Sequence, residues 1–123
     1  MFYINKKGNK VSVSITGHAK RRFLQRWNAL YPHDPMSDRD MPERLRDMFN
    51  ASQRRTNLSR KEKTRLKRHG RDTMFFARGG FTFVVQDAQI VTVEIAVKEL
   101  RNLNKSKVVV PWKDDYEYGG SEF

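Results

Sequence analysis

Three apolar-rich stretches in the second half of the chain have the length of β-strands, and in the last two polar residues alternate with apolar ones. These stretches are Met74 to Ala77, Phe81 to Gln86 and Ile90 to Ala96. Such alternation is typical of half-buried β-strands. The segments between them, Arg78-Gly79-Gly80 and Asp87-Ala88-Gln89, have the composition of tight turns. The pattern therefore predicts an antiparallel meander of three strands.

A second alternation lies near the N-terminus, where Val, Ser, Val, Ser and Ile occupy residues 11–15. The preceding Gly8-Asn9 pair has the composition of a turn. Together these features predict an N-terminal β-hairpin whose strands cover residues 2–5 and 10–15.

The spacing of apolar residues becomes helical between the hairpin and the meander. In the first helical stretch the apolar residues are Ala19, Phe23, Trp27 and Leu30. With Thr16 as a suitable N-cap, this spacing predicts a helix over residues 17–30. Similar patterns predict a second helix from Pro42 to Ala51 and a third from Arg60 to His69. The third has a capping box that starts at Ser59 and a glycine cap at Gly70.

This order of elements predicts an α+β fold. We expect an antiparallel β-sheet, built from the N-terminal hairpin and the C-terminal meander, with two to three helices packed on one face. The length of 123 residues fits a single domain. We expect this domain to span residues 1–112, with a basic insert at residues 54–71. Residues 113–123 contain four acids and are expected to form a flexible acidic tail.

Basic residues strongly outnumber acidic ones: 25 Lys and Arg against 14 Asp and Glu give a net charge of +11. A charge of this size favours polyanionic partners, RNA or DNA. The insert at residues 54–71 is the most basic part of the chain, and cations there would release counterions from phosphates. A solvated surface is the alternative interpretation. The candidate substrate-binding residues of the insert are Arg60, Lys61, Arg65, Lys67, Arg68 and Arg71.

The composition also excludes several kinds of site. The chain has no cysteine, so disulfides and thiolate metal sites are excluded. His18, His33 and His69 lack metal-ligand spacing, and we expect neither a metal nor a cofactor. No apolar run approaches the roughly 20 residues that cross a bilayer, and the first residues lack the order of a signal peptide. We therefore expect a cytoplasmic protein with no membrane partner.

The first predicted helix carries the main candidate chemistry. His18, Arg22 and Arg26 are spaced i, i+4, i+8, which places them on one slowly drifting stripe of the helix. Arg26 would lie at the edge of the buried face, Arg22 somewhat further out and His18 nearly opposite its centre. Metal-free RNA cleavage needs a base, an acid and cations that stabilise the phosphorane. The imidazole of His18 suits the acid or base role. The two guanidinium groups suit phosphate binding.

The last predicted strand and the first turn of the meander add further candidates. Glu94 lies on the face away from the apolar stripe and is an alternative base, while Thr92 and Arg78 could contact the substrate. Structural interpretations compete with these roles. A single helical histidine is usually a surface or capping residue, and Arg22 and Arg26 could form salt bridges with Glu94 or Asp87. Among the aromatic residues, which more often form the core, Phe76 and Trp112 are the candidates for base stacking.

The His-x-x-x-Arg-x-x-x-Arg helix with Gln25, followed by the Gly-Gly turn, resembles a group of small ribonucleases. The group includes RelE and ParE toxins, barnase and colicin-type tRNases, and the motif is most similar to that of the RegB-type early phage endoribonuclease. The strand patterns Phe83–Asp87 and Ile90–Val93 extend the resemblance, which covers roughly residues 10–97. It implies a RelE-like fold and a metal-independent endoribonuclease of phage or toxin type that cleaves mRNA, free or on the ribosome.

Two other functions fit the same residues. The first is a non-catalytic protein that binds RNA, DNA or a host enzyme that handles nucleic acids. The second is a toxin-like protein that acts on a protein target, as the resemblance to ParE implies.

Overall fold

The computed structural model describes residues 1–58, 60–69 and 73–95. These ranges form an α+β structure with three helices, which confirms the predicted fold class. The predicted caps Ser59 and Gly70, the candidates Arg71 and Trp112 and the acidic tail lie outside the described residues.

The described chain contains two β-sheets. The strands are β1 (Phe2–Ile4), β2 (Lys10–Ser12), β3 (Ser14–Ile15), β4 (Gln53–Arg54), β5 (Met74–Arg78), β6 (Phe81–Gln86) and β7 (Gln89–Ile95). Strands β1 and β2 form an antiparallel pair, and the larger sheet has the order β3-β7-β6-β5-β4. The helices are α1 (Gly17–Leu30), α2 (Met41–Asn50) and α3 (Arg60–His69). The predicted bounds of α1 and α3 are confirmed, as is the β5-β6-β7 meander.

The strand arrangement differs from the prediction in two respects. The N-terminal hairpin forms its own sheet, and β3 pairs with β7 in parallel, so the large sheet is mixed rather than purely antiparallel. The change of partner occurs at one residue. The N–H of Val13 donates to the Met1 carbonyl at 2.8 Å, whereas the N–H of Ser14 donates to the Ala88 carbonyl at 3.0 Å. The predicted strand over residues 10–15 is therefore split in two.

The main core lies between the large sheet and helices α1 and α2. It includes Ala19, Phe23 and Trp27 from α1, Leu45 and Phe49 from α2, and Phe76, Phe81, Phe83, Val85, Ile90 and Val93 from the sheet. A β-bulge in β7 determines which side chains of this strand face the core. Thr92 pairs with Val84, but Ile90 pairs with Val85, so Val91 is the extra residue. The bulge brings Ile90 to the same face as Val93.

Helix α3 lies on the other face of the sheet. Thr82 and Glu94 are partners on β6 and β7, and they alternate with the core residues Phe83 and Val93. Arg65 of α3 forms an ion pair with Glu94. Because successive side chains of a strand point to opposite faces, this contact places α3 opposite the main core. We predicted two to three helices on one face: α1 and α2 share one face of the sheet, and α3 lies on the other.

Candidate nucleic-acid interface

Helix α3 separates its charges between an outward and an inward face. Its exposed basic residues are Arg60, Lys61, Lys63, Lys67 and Arg68. Glu62, the only acid of the helix, is buried together with Arg65. Residues 62, 65 and 66 are three and four positions apart, so they lie on one side of the helix, and this is the side that faces inward. The outward face of α3 thus consists of five cations and Thr64, with no acid.

Among the residues that the structure describes, Arg55 and Glu94 form ion pairs with the inward face. Nη1 of Arg55 lies 2.9 Å from Oε1 and 3.0 Å from Oε2 of Glu62. Arg65 pairs with Glu94 of β7. Leu66 of α3 is half-buried and lines the same cleft as Phe75 of β5. Among these contacts, the ion pair of Arg65 with Glu94 ties the helix to the sheet.

These contacts change the role of Arg65, which we predicted to bind substrate. Its side chain is buried, with 8% of the residue exposed, and it pairs with an acid of the sheet. Arg65 is thus an anchor of α3 rather than part of its outward surface. Lys63 is exposed on that surface, and sequence reasoning missed it. The helical spacing could have indicated this exposure, because residues 62, 65 and 66 share one face of the helix and residue 63 lies outside it.

Glu94 occupies a strongly charged part of the interior. Burial raises the pKa of its carboxyl above the ordinary value of 4.5. The guanidinium groups of Arg65 and Arg26 oppose this change, and the charge of Glu62 reinforces it. Arg26 of α1 is itself only 1% exposed. The sequence placed Arg26 at the border of the buried face, whereas the structure places it fully inside.

The four predicted catalytic residues differ in whether they reach the surface. His18 and Arg22 are half-buried near the start of α1, where Nε of Arg22 donates to Nε2 of His18 at 3.4 Å. The N-cap fixes this end of the helix, because Oγ1 of Thr16 accepts from the N–H of Ala19 at 3.1 Å. Arg26 and Glu94 lie in the interior. A substrate at the surface could therefore reach the first two residues but not the last two.

The remaining candidates, Thr92 and Arg78, also differ in accessibility. Thr92 is buried, and its Oγ1 has no hydrogen-bond partner among the residues that the structure describes. It is therefore not placed to contact a substrate. Arg78 is exposed at the end of β5, beside the Gly79 turn. It remains available at the surface.

The described residues show neither a cluster of metal-binding side chains nor a helix that could span a membrane. Within residues 1–58, 60–69 and 73–95, no group of three or more His, Asp or Glu side chains could hold a metal ion. No helix in these same ranges is long and apolar enough to cross a membrane. Comparison of the chain with protein-family models, curated proteins and solved structures found no match.

Proposed function

We propose that this protein binds RNA through the outward face of α3, on a RelE-like α+β fold. The observation that carries the proposal is the separation of charge on this helix. Its acid is buried against Arg55, so the five exposed cations face solvent without an acid of α3 among them. Each phosphate that such a surface neutralises releases counterions, which favours binding.

The choice of RNA rests on the resemblance of the α1 motif to small ribonucleases. The surface charge alone would also attract single-stranded DNA. The two nucleic acids are therefore compared in the test. A clear preference for RNA over DNA of the same sequence supports the proposal, whereas equal affinity would indicate a general single-strand binder.

The test measures the salt dependence of binding to a single-stranded RNA. The variant Arg60→Gln, Lys63→Gln, Lys67→Gln removes three outward cations of α3. For a single strand, each lost phosphate contact lowers the slope of log affinity against log salt by about 0.7, so we expect a reduction of about two. Stability should change by less than about 0.5 kcal/mol, because these side chains are exposed.

The matched control removes three exposed cations elsewhere: Lys20→Gln, Arg39→Gln, Arg46→Gln. It has the same net charge as the α3 variant, so a general charge effect would lower both slopes equally. Equal slopes for the two variants, or an α3 variant with the wild-type slope, would show that the outward face of α3 is only solvated.

A second candidate function is metal-independent endoribonuclease activity at His18 and Arg22. The observation in its favour is their hydrogen bond at a half-exposed position, which joins an imidazole to a group able to bind phosphate. In this proposal His18 transfers protons and Arg22 stabilises the charged phosphorane. Arg26 and Glu94 would support the helix from the interior without contacting RNA.

We expect the wild type to cleave RNA in the presence of EDTA and to leave 2′,3′-cyclic phosphate ends. His18→Ala should abolish cleavage while RNA affinity stays unchanged, because α3 supplies the binding. Arg22→Lys should retain binding and lose at least about tenfold in rate, because the bidentate fork is absent. If free RNA and ribosome-bound RNA both stay intact after incubation with the wild type, the endoribonuclease proposal is contradicted and only RNA binding remains.

A further inference from the structure

The N-terminal hairpin, formed by β1 and β2, carries exposed cations that the proposed function does not use. Lys6 and Lys7 are exposed in the turn between the two strands, and Lys10 is exposed at the start of β2. Neither the hairpin nor residues 51–58, which lead from α2 toward α3, contain an acid. These two segments therefore present positive charge that no acid of their own opposes.

The hairpin turn holds its lysines at defined backbone positions. Oδ1 of Asn5 accepts from the N–H of Lys7 at 3.0 Å and from the N–H of Asn9 at 2.9 Å. Within the described part of the chain, neither Lys6 nor Lys7 forms a salt bridge. Their ammonium groups are therefore available to an anionic partner.

Arg54 of β4 lies between the hairpin and α3. Arg54 and Arg55 are successive residues of an extended segment, so their side chains point to opposite faces. Arg55 points toward α3, where its Nη1 lies 2.9 Å from Oε1 of Glu62. The exposed Arg54 lines one cleft together with Ile4 of the hairpin and a second cleft together with Leu66 of α3. Arg54 therefore borders both basic elements.

The hairpin and α3 lie on opposite faces of the large sheet, of which β4 is an edge strand. The hairpin covers the core face, because the ring of Tyr3 contacts that of the core residue Phe76. Helix α3 covers the other face, where Arg65 pairs with Glu94. The cations of the hairpin, Arg54 and α3 thus form a strip that turns around the β4 edge of the sheet.

The aromatic side chains at this edge serve packing rather than base stacking. Phe76, one of our candidates for stacking, is only 4% exposed, and its ring centre lies 5.3 Å from that of Tyr3 and 5.2 Å from that of Phe49. Phe76 is therefore closed to a base. A nucleic acid at the β4 edge would be bound through its phosphates.

We propose that Lys6, Lys7 and Arg54 form a second phosphate-binding element, and that one RNA single strand runs from α3 around the β4 edge to the hairpin turn. This inference rests on the proposed RNA binding and adds a preference for single strands. A duplex resists so tight a turn, since the persistence length of DNA is about 150 base pairs, whereas a flexible single strand follows it. Phosphate contacts carry no sequence information, so the strip selects strandedness rather than sequence.

The experiment measures the salt dependence of binding to RNA single strands of about four and about sixteen nucleotides, which span the known range of single-strand site sizes. An RNA duplex with as many phosphates as the longer strand is measured in parallel. The variant Lys6→Gln, Lys7→Gln, Arg54→Gln removes three exposed cations. It keeps Lys10, whose Nζ lies 4.0 Å from the ring centre of Phe2 and holds the two strands of the hairpin together.

For the longer strand we expect this hairpin variant to lower the slope of log affinity against log salt by about two, because three phosphate contacts of about 0.7 each are lost. The shorter strand should bind on α3 alone, where five cations lie, so its slope should stay within about 0.7 of the wild-type value. The slope for the duplex should also change by less than one contact, because the duplex does not reach the hairpin.

The variant Lys20→Gln, Arg39→Gln, Arg46→Gln is again the matched control, since it has the same net charge as the hairpin variant. Urea unfolding should show changes of less than about 0.5 kcal/mol, because the replaced side chains are exposed. A photoreactive nucleotide at either end of the longer strand gives a readout that does not depend on charge. We expect one end to crosslink to peptides of the hairpin and the other to peptides of α3.

The outcomes separate this inference from the proposed function. If the α3 variant loses slope while the hairpin variant keeps the wild-type slope on the longer strand, the second element is overturned and RNA binding by α3 stands. Equal losses in the hairpin variant and the matched control, or equal losses on the longer strand and the duplex, would also contradict a path around the β4 edge. If the wild type binds no RNA at low salt, both proposals are overturned.

Discussion

Glu94 is the residue at which burial and charge pairing compete most directly. Glu94 is 8% exposed. Its carboxylate forms an ion pair with Arg65, and Arg26 and Glu62 also act on it electrostatically. Removing a carboxylate from water costs several kcal/mol, which an ion pair offsets only in part. The raised pKa of Glu94 reflects the larger effect of burial.

This competition predicts a pH-dependent stability. Because the pKa of Glu94 is raised in the folded state, the folded protein binds a proton at a higher pH than the unfolded chain. The free energy of unfolding therefore rises as the pH falls from above this pKa toward 4.5, by at most about 1.4 kcal/mol per pH unit. Glu94→Gln lacks this titration. Urea unfolding at a series of pH values should therefore show that the wild type gains stability relative to the variant as the pH falls.

Glu43→Gln serves as the control for this measurement, because Glu43 is exposed on α2. Its stability should follow that of the wild type across the same pH range. If instead the wild type lost stability relative to Glu94→Gln on acidification, attraction by Arg65 and Arg26 would outweigh burial.

Among the elements, the turn between β6 and β7 carries an unusual backbone. It has two residues, Asp87 and Ala88, with φ of 52° and 58°. Positive φ at both positions is the mark of a type I′ turn, which favours Asn or Asp followed by Gly. Alanine is strained there because its Cβ approaches the carbonyl oxygen. The turn also anchors β3, since the Ala88 carbonyl accepts from the N–H of Ser14 at 3.0 Å.

We expect Ala88→Gly to raise the free energy of unfolding by about 1 kcal/mol, because glycine adopts positive φ without this strain. Urea denaturation provides the measurement. Ala77→Gly, within β5, is the matched control and should lower stability by about 0.5–1 kcal/mol through backbone entropy. A loss of stability in Ala88→Gly comparable to that in Ala77→Gly would show that the turn is not strained.

At the scale of the whole molecule, the two faces of the large sheet have different chemistry. One face forms an apolar core with α1 and α2. The other carries buried Thr82, Thr92 and Glu94, and its contact with α3 includes an ion pair. Because Glu62, the acid of α3, is taken into the interior, the outward face of the helix carries five cations and no acid. The net charge of +11 shows an excess of cations without showing where they lie. The fold brings five of them together on the outward face of α3.

The sequence by itself determined the elements whose signals are local. The bounds of α1 follow from the Thr16 cap and an apolar stripe, and those of α3 from helix-terminal residues and a basic helical run. The meander follows from alternation and turn composition. The basic character of α3 was equally readable, because charge is a property of composition. The two proposed functions draw on these same local features.

Only the tertiary structure decided which distant segments pair and which charged side chains become buried between them. The parallel pairing of β3 with β7 joins residues far apart in the chain, and no local pattern specifies it. The same holds for Arg26 and Arg65. Charged residues are almost never fully buried unless they are paired. We accordingly predicted that Arg65 contacts the substrate and that Arg26 lies at the border of the buried face, with a salt bridge to Glu94 or Asp87 as the alternative. Arg65 forms an ion pair with Glu94, and Arg26 acts on the same carboxyl electrostatically. Glu94 lies on a strand remote in sequence, so its position became known only when the sheet and helices were assembled.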